Sequence, residues 1–225
     1  MRNFIFFIIS LFLPLLGFSQ AKENEQVSLD ALLNDTQFSS DNTQMFEFIW
    51  WLPRKFWEVS YAQDPTSSKE DFMELNEIFE DYELFGVVKG EIGHFGGITY
   101  YPEEAILKEL VINYKGENLI IVPKEEISAD FSNFFMIIQP MLGNMLGQMG
   151  NNIHFVLYKS IRGNEVLPVD PLGSGVLTIK LGDFERTVDL PLNSLLLEKK
   201  CNEDSKLYSG KYIFCPIHGK KLVNQ

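Results

Sequence analysis

An α+β domain, in which an antiparallel, meander-rich sheet packs against helices, is predicted on three observations. Alternating apolar runs come in pairs joined by short turn-forming connections, as in Val176–Leu181 and Phe184–Leu190 across Gly182-Asp183. Helical patterns stand apart from those runs, at residues 68–82 and 131–149. No strand–helix–strand unit carries G-x-G-x-x-G, which removes a doubly wound nucleotide binder. With 225 residues, 45% hydrophobic and 22% charged, the chain is ordinary globular material and not disordered, collagenous or multi-spanning.

Residues 1–20, MRNFIFFIISLFLPLLGFSQ, set Arg2 before an apolar stretch from Phe4 to Phe18 and end on Gly17, Ser19 and Gln20. The stretch is short for a membrane span, holds Pro14 and Gly17, and has no charged stop-transfer flank, so it reads as a signal peptide. No cysteine lies near the cleavage point, which excludes a lipoprotein anchor. The expectation is a periplasmic or secreted bacterial protein with no transmembrane anchor after leader cleavage. Residues 21–43 are rich in Asn, Gln, Asp, Glu and Ser, with few apolar side chains, and are expected to form a flexible arm.

Residues 44–198 form the expected α+β domain. Met45–Ala62 holds Trp50, Trp51 and Trp57, and Pro53 separates a first short element from a helix. These tryptophans read as an aromatic anchor of the core, or as a stacking platform for a glycan. Ser68 caps a helix whose Phe72, Leu75, Phe79 and Tyr82 share one face, while its acids are a solvated surface. Strands are expected at Leu84–Ile92, Phe95–Tyr101, Ile106–Tyr114 and Leu119–Val122, the last two joined by a hairpin through residues 115–118. The glycine-rich run 90–97 lacks the Lys-Ser/Thr ending of a phosphate loop and reads as a bend, in which His94 is a weak binding candidate. Phe131–Met149, with four methionines and Pro140, reads as a buried, kinked helix, its alternative being an exposed, adaptable groove for a partner. In Ile153–Lys159 the residues Ile153, Phe155 and Leu157 are expected to face inward.

Residues 199–225 carry the most specific pattern. Cys201-Asn202-Glu203-Asp204 is followed, ten residues later, by Cys215-Pro216-Ile217-His218-Gly219. These last 25 or so residues resemble a zinc ribbon with His218 in place of the final cysteine of its second knuckle. The resemblance implies Cys201, Cys215 and His218 as ligands, Asp204 at the fourth position and a closed, structural zinc. The first knuckle departs from the ribbon pattern: it lacks Pro and Gly, and Asp204 replaces a thiolate. The rival is a Cys201–Cys215 disulfide closing the same hairpin, which suits an oxidising compartment and would contribute roughly 3 kcal/mol.

The net charge of −12, from 19 Lys and Arg against 31 Asp and Glu, disfavours nucleic acid, since the only basic clusters are Lys199-Lys200 and Lys220-Lys221. G-x-S-x-G, H-E-x-x-H and a cysteine-protease signature are all absent. The expected function is a non-catalytic binding or interaction protein of the bacterial envelope, with an envelope protein or glycan as partner. The alternative is a small exported hydrolase that assembles His94, His154 or His218 with carboxylates.

Overall fold

The computed structural model describes residues 20–66, 68–159, 161–162, 165–166 and 168–224, so the leader expected at 1–20 lies outside the described residues except for Gln20. In chain order the elements are α1 (Leu29–Thr36), β1 (Gln37–Ser39), β2 (Met45–Leu52), α2 (Arg54–Gln63), α3 (Lys69–Ile78), β3 (Tyr82–Ile92), β4 (Ile98–Tyr100), α4 (Glu103–Leu107), β5 (Leu110–Tyr114), β6 (Glu117–Asn118) and β7 (Ile120–Ile121). There follow α5 (Ala129–Leu146), α6 (Gln148–Asn151), β8 (His154–Lys159), β9 (Ile161–Arg162), β10 (Glu165–Val166), β11 (Gly175–Leu181), β12 (Phe184–Leu190), β13 (Lys199–Lys200), β14 (Leu207–Tyr208) and β15 (Val223–Asn224). The fold is α+β, and every strand pairing among the described residues is antiparallel.

Two compact units result, Ala21–Leu196 and a smaller one containing Leu197–Gln225. In the larger unit β1, β2, β3, β8 and β7 lie side by side, with β4 also on β3, and a second sheet runs β12-β11-β5-β6. Alternation along the strands explains the layering. Ile49, Trp51, Phe85, Val87, Val156 and Tyr158 share a core cluster with Leu110, Ile112, Leu177, Ile179 and Leu181 of the second sheet. Their strand neighbours Leu52, Leu84 and Leu157 pack instead with Phe79 of the segment after α3 and Phe131 of α5. Strand β8 is therefore covered on both sides, and not on the Ile153–Phe155–Leu157 side alone as its alternation suggests.

Three further expectations change, and the tryptophans follow the first of their two readings. The expected arm at 21–43 is folded: Ser28 Oγ accepts the Ala31 N–H and caps α1, Leu32 is buried in the core, and β1 pairs with β2. The reason is local, since Leu29, Leu32 and Leu33 recur at helical spacing amid the polar residues. Residues 84–122 do not form a single meander, because Pro102 starts α4 where a strand was expected to begin at Ile106, and the chain leaves one sheet for the other. The tryptophans form no exposed platform. Trp51 is fully buried, and Trp50 and Trp57 pack edge-on to Phe56, Trp57 also stacking on Phe79. Finally, α5 buries Phe131 and Leu142 but exposes Met136, Ile137, Met141 and Met145, so only one of its apolar faces is core. Among the described residues no helix is long and apolar enough to cross a membrane.

Candidate metal centre

The smaller unit folds around two chain reversals built alike. In the first, Ser205 N–H donates to Cys201 C=O (2.9 Å) and Cys201 N–H to Lys206 C=O (2.9 Å). In the second, Gly219 N–H donates to Cys215 C=O (2.9 Å) and Cys215 N–H to Lys220 C=O (2.7 Å). Each loop turns on a residue of positive φ, Ser205 at 61° and Gly219 at 63°. Glycine takes that conformation readily, whereas serine does so at a cost that the surrounding bonds offset.

This backbone aims both sulfurs inward. Cys201 and Cys215 are buried with Leu222, and Tyr208 packs against them. His218 Nδ1 lies 3.4 Å from Cys201 Sγ and 3.5 Å from Cys215 Sγ, and the His218 N–H points at Cys215 Sγ (3.4 Å). Candidate ligand atoms of Cys201, Cys215 and His218 all lie within 4.8 Å of one another, a group that can hold a metal ion. The cysteines are unbridged.

The two thiols differ in acidity. Burial raises Cys201, and its backbone N–H partners at Glu203 and Asp204 do not offset that. Burial opposes ionisation of Cys215 too, but the N–H groups of His218 and Ile217 and the Tyr208 hydroxyl outweigh it, bringing Cys215 to about 6. The same contact with Cys215 pushes Tyr208 up to about 12. A thiolate is the form that binds metal, and Cys215 is the more readily ionised of the two sulfurs.

Asp204 stands next to this group and not in it. Its carboxylate accepts the Lys206 N–H (3.0 Å) and the Tyr208 hydroxyl (3.4 Å), and the Lys206 bond holds it below the usual carboxylate range. Tyr208, which touches both Asp204 and Cys215, carried no signal in the sequence. The matching lysines five residues after each cysteine, Lys206 and Lys220, were the visible trace of the repeated loop.

The remaining candidates lie elsewhere. His94 is exposed in the turn after β3 and lines a cavity with Thr43, Met45 and Glu91. His154 sits on β8 with Nε2 3.3 Å from Tyr101 O and lines a different cavity of about 480 Å³, with Glu103, Lys124 and Gln139. Comparison with protein-family models, with curated proteins and with solved structures yields no match for this chain.

Proposed function

We propose that the chain is an exported protein of the bacterial envelope that works by binding, and that one zinc ion fastens its C-terminal unit. The observation that carries the metal reading is the spacing around His218. Zinc–sulfur and zinc–nitrogen bonds at the tetrahedral angle put ligand atoms about 3.5 Å apart, and His218 Nδ1 lies 3.4 and 3.5 Å from the two sulfurs. Asp204, at the equivalent place in the first loop, is the fourth ligand once it releases Lys206 and Tyr208. Four protein ligands close the site, so the ion is structural.

Export is supported by the leader pattern, and binding over hydrolysis by the scatter of the histidines. His94 and His154 line separate cavities, and His218 is committed to the sulfurs. The partner expected is an envelope component, not nucleic acid.

Electrospray mass of the protein, native and then unfolded, tests the metal reading. A native mass heavier by one zinc ion, lost on unfolding in acid, is expected. A metal-free mass two hydrogens light would mean a Cys201–Cys215 disulfide and overturn it.

A further inference from the structure

The chain is acidic, yet its acidity is unevenly spread. Residues 197–225 hold six lysines, at 199, 200, 206, 211, 220 and 221, and only three acidic side chains, Glu198, Glu203 and Asp204. Lys206, Lys211, Lys220 and Lys221 are exposed. The same unit also exposes apolar side chains that a small soluble knuckle would be expected to cover. Ile217 is 72% and Phe214 59% exposed, and Tyr212 and Ile213 are about half exposed.

These groups are arranged together. Phe214 and Lys221 face each other across an antiparallel bridge, which sets their side chains on one side. Leu222 N–H donates to Ile213 C=O and Cys215 N–H to Lys220 C=O, so residues 212–222 form a hairpin with the Cys215–Gly219 loop at its tip. Pro216 and Ile217 crown that tip, and Lys220 and Lys221 stand at its base.

We propose that this hairpin docks on an anionic phospholipid surface, Ile217 and Phe214 entering the headgroup–acyl boundary while Lys220 and Lys221 meet lipid phosphates. An apolar tip above a basic collar matches the layered polarity of such an interface. Within residues 197–225 lysines outnumber acidic side chains six to three, so the local balance is basic, and charges farther than about 8 Å from a lipid phosphate are screened at physiological ionic strength. Nucleic acid fits less well, since the most exposed apolar side chain, Ile217 at the tip, is aliphatic, and only Tyr212 and Phe214 further down the hairpin could stack on a base. The proposal goes beyond the zinc reading and rests on it only for the shape of the loop that Cys215 and His218 close.

The test uses protein purified from a host expressing the full chain, its zinc content measured on the same sample. Co-sedimentation is compared between vesicles of phosphatidylglycerol with phosphatidylcholine and vesicles of phosphatidylcholine alone. Binding only to the anionic vesicles, released by high salt, is expected. Ile217→Asp should weaken it about tenfold and the pair Lys220→Gln, Lys221→Gln about thirtyfold, with zinc content and circular dichroism retained. Zinc-loaded protein that ignores anionic vesicles overturns the docking proposal and leaves the metal reading standing. Zinc-free protein that binds them through Ile217 does the reverse. Binding abolished by Met141→Glu on α5 but kept by Ile217→Asp, or a preference for single-stranded DNA over vesicles, also overturns the proposal.

Discussion

Asp204 stands to Cys201 as His218 stands to Cys215: each follows its cysteine by three residues and precedes the positive-φ residue that closes the loop. They differ in where they point. His218 lies against both sulfurs, whereas Asp204 reaches only the Cys201 side chain and also accepts the Lys206 amide and the Tyr208 hydroxyl. Losing a ligand from a structural zinc site removes a large part of the binding free energy. His218→Ala and Cys215→Ser should therefore weaken zinc about a hundredfold or more, and Asp204→Ala only about tenfold, because Asp204 gives up its bonds to Lys206 and Tyr208 when it joins. Competition against a chromophoric chelator measures all three. Equal affinity of wild type and His218→Ala would remove the site.

Chelation should loosen the smaller unit first. Its apolar cluster is small, Cys201, Cys215 and Leu222 with Tyr208 against them, so little apolar burial remains to hold it without an ion. Hydrogen exchange read residue by residue should show lost protection at the amides of Cys201, Cys215, Gly219 and Leu222. Tryptophan emission, which comes only from Trp50, Trp51 and Trp57, reports the larger unit and should not change. Unaltered protection at Cys215 after complete zinc removal would count against a structural role.

How far the sequence could be read depended on whether the signal was local. The β11–β12 hairpin was legible because its alternation and its two-residue Gly182-Asp183 turn specify the register without help from the rest of the chain. The Cys215–Gly219 loop was legible for the same reason. Trp50 and Trp51 were harder, since adjacent aromatics in a strand point to opposite faces, and only layers on both sides of β2 bury Trp51 and partly cover Trp50. Residues 21–43 misled because composition averaged over the segment hid the helical spacing of three leucines. Glu47, Lys89 and Glu83 were invisible as buried groups, because their burial depends on pairing between distant segments.

Lys89 is such a case. It is 7% exposed on β3 and lies 3.5 Å from Glu47, itself 5% exposed, and it also bonds Glu109. Burial alone would lower the Lys89 pKa, but the two carboxylates raise it, so the ammonium stays charged. Lys89→Met should destabilise by about 3 kcal/mol or more, because it leaves the Glu47 carboxylate buried without its cation. Adding Glu47→Leu should recover much of that loss. Urea midpoints for the two single variants and the double variant measure the coupling, and additive losses would show that the pair is not coupled.

Glu83 makes the stability of the larger unit depend on pH in an unusual direction. It is 3% exposed on β3, accepts the Trp51 indole N–H at 2.9 Å and the Val169 N–H at 2.7 Å, and so ties the 168–172 segment to the sheet. Burial raises its pKa to about 7 from 4.5, despite the two donors that favour the ionised form. Between pH 4.5 and 7 the folded chain therefore keeps a proton that the unfolded chain has released. Folding takes up that proton, so the contribution is fully present below the unfolded value and is lost as pH rises through the folded one. It amounts to about 3 kcal/mol. Glu83→Gln cannot titrate, and it sets an amide N–H₂ against one of the two donors, lowering stability by about 1–3 kcal/mol at low pH. Above the folded value the wild type has lost its advantage, and the two proteins should converge. Urea denaturation of both across this window measures the difference, and a gap that does not narrow as pH rises would show that Glu83 is already ionised at the bottom of it.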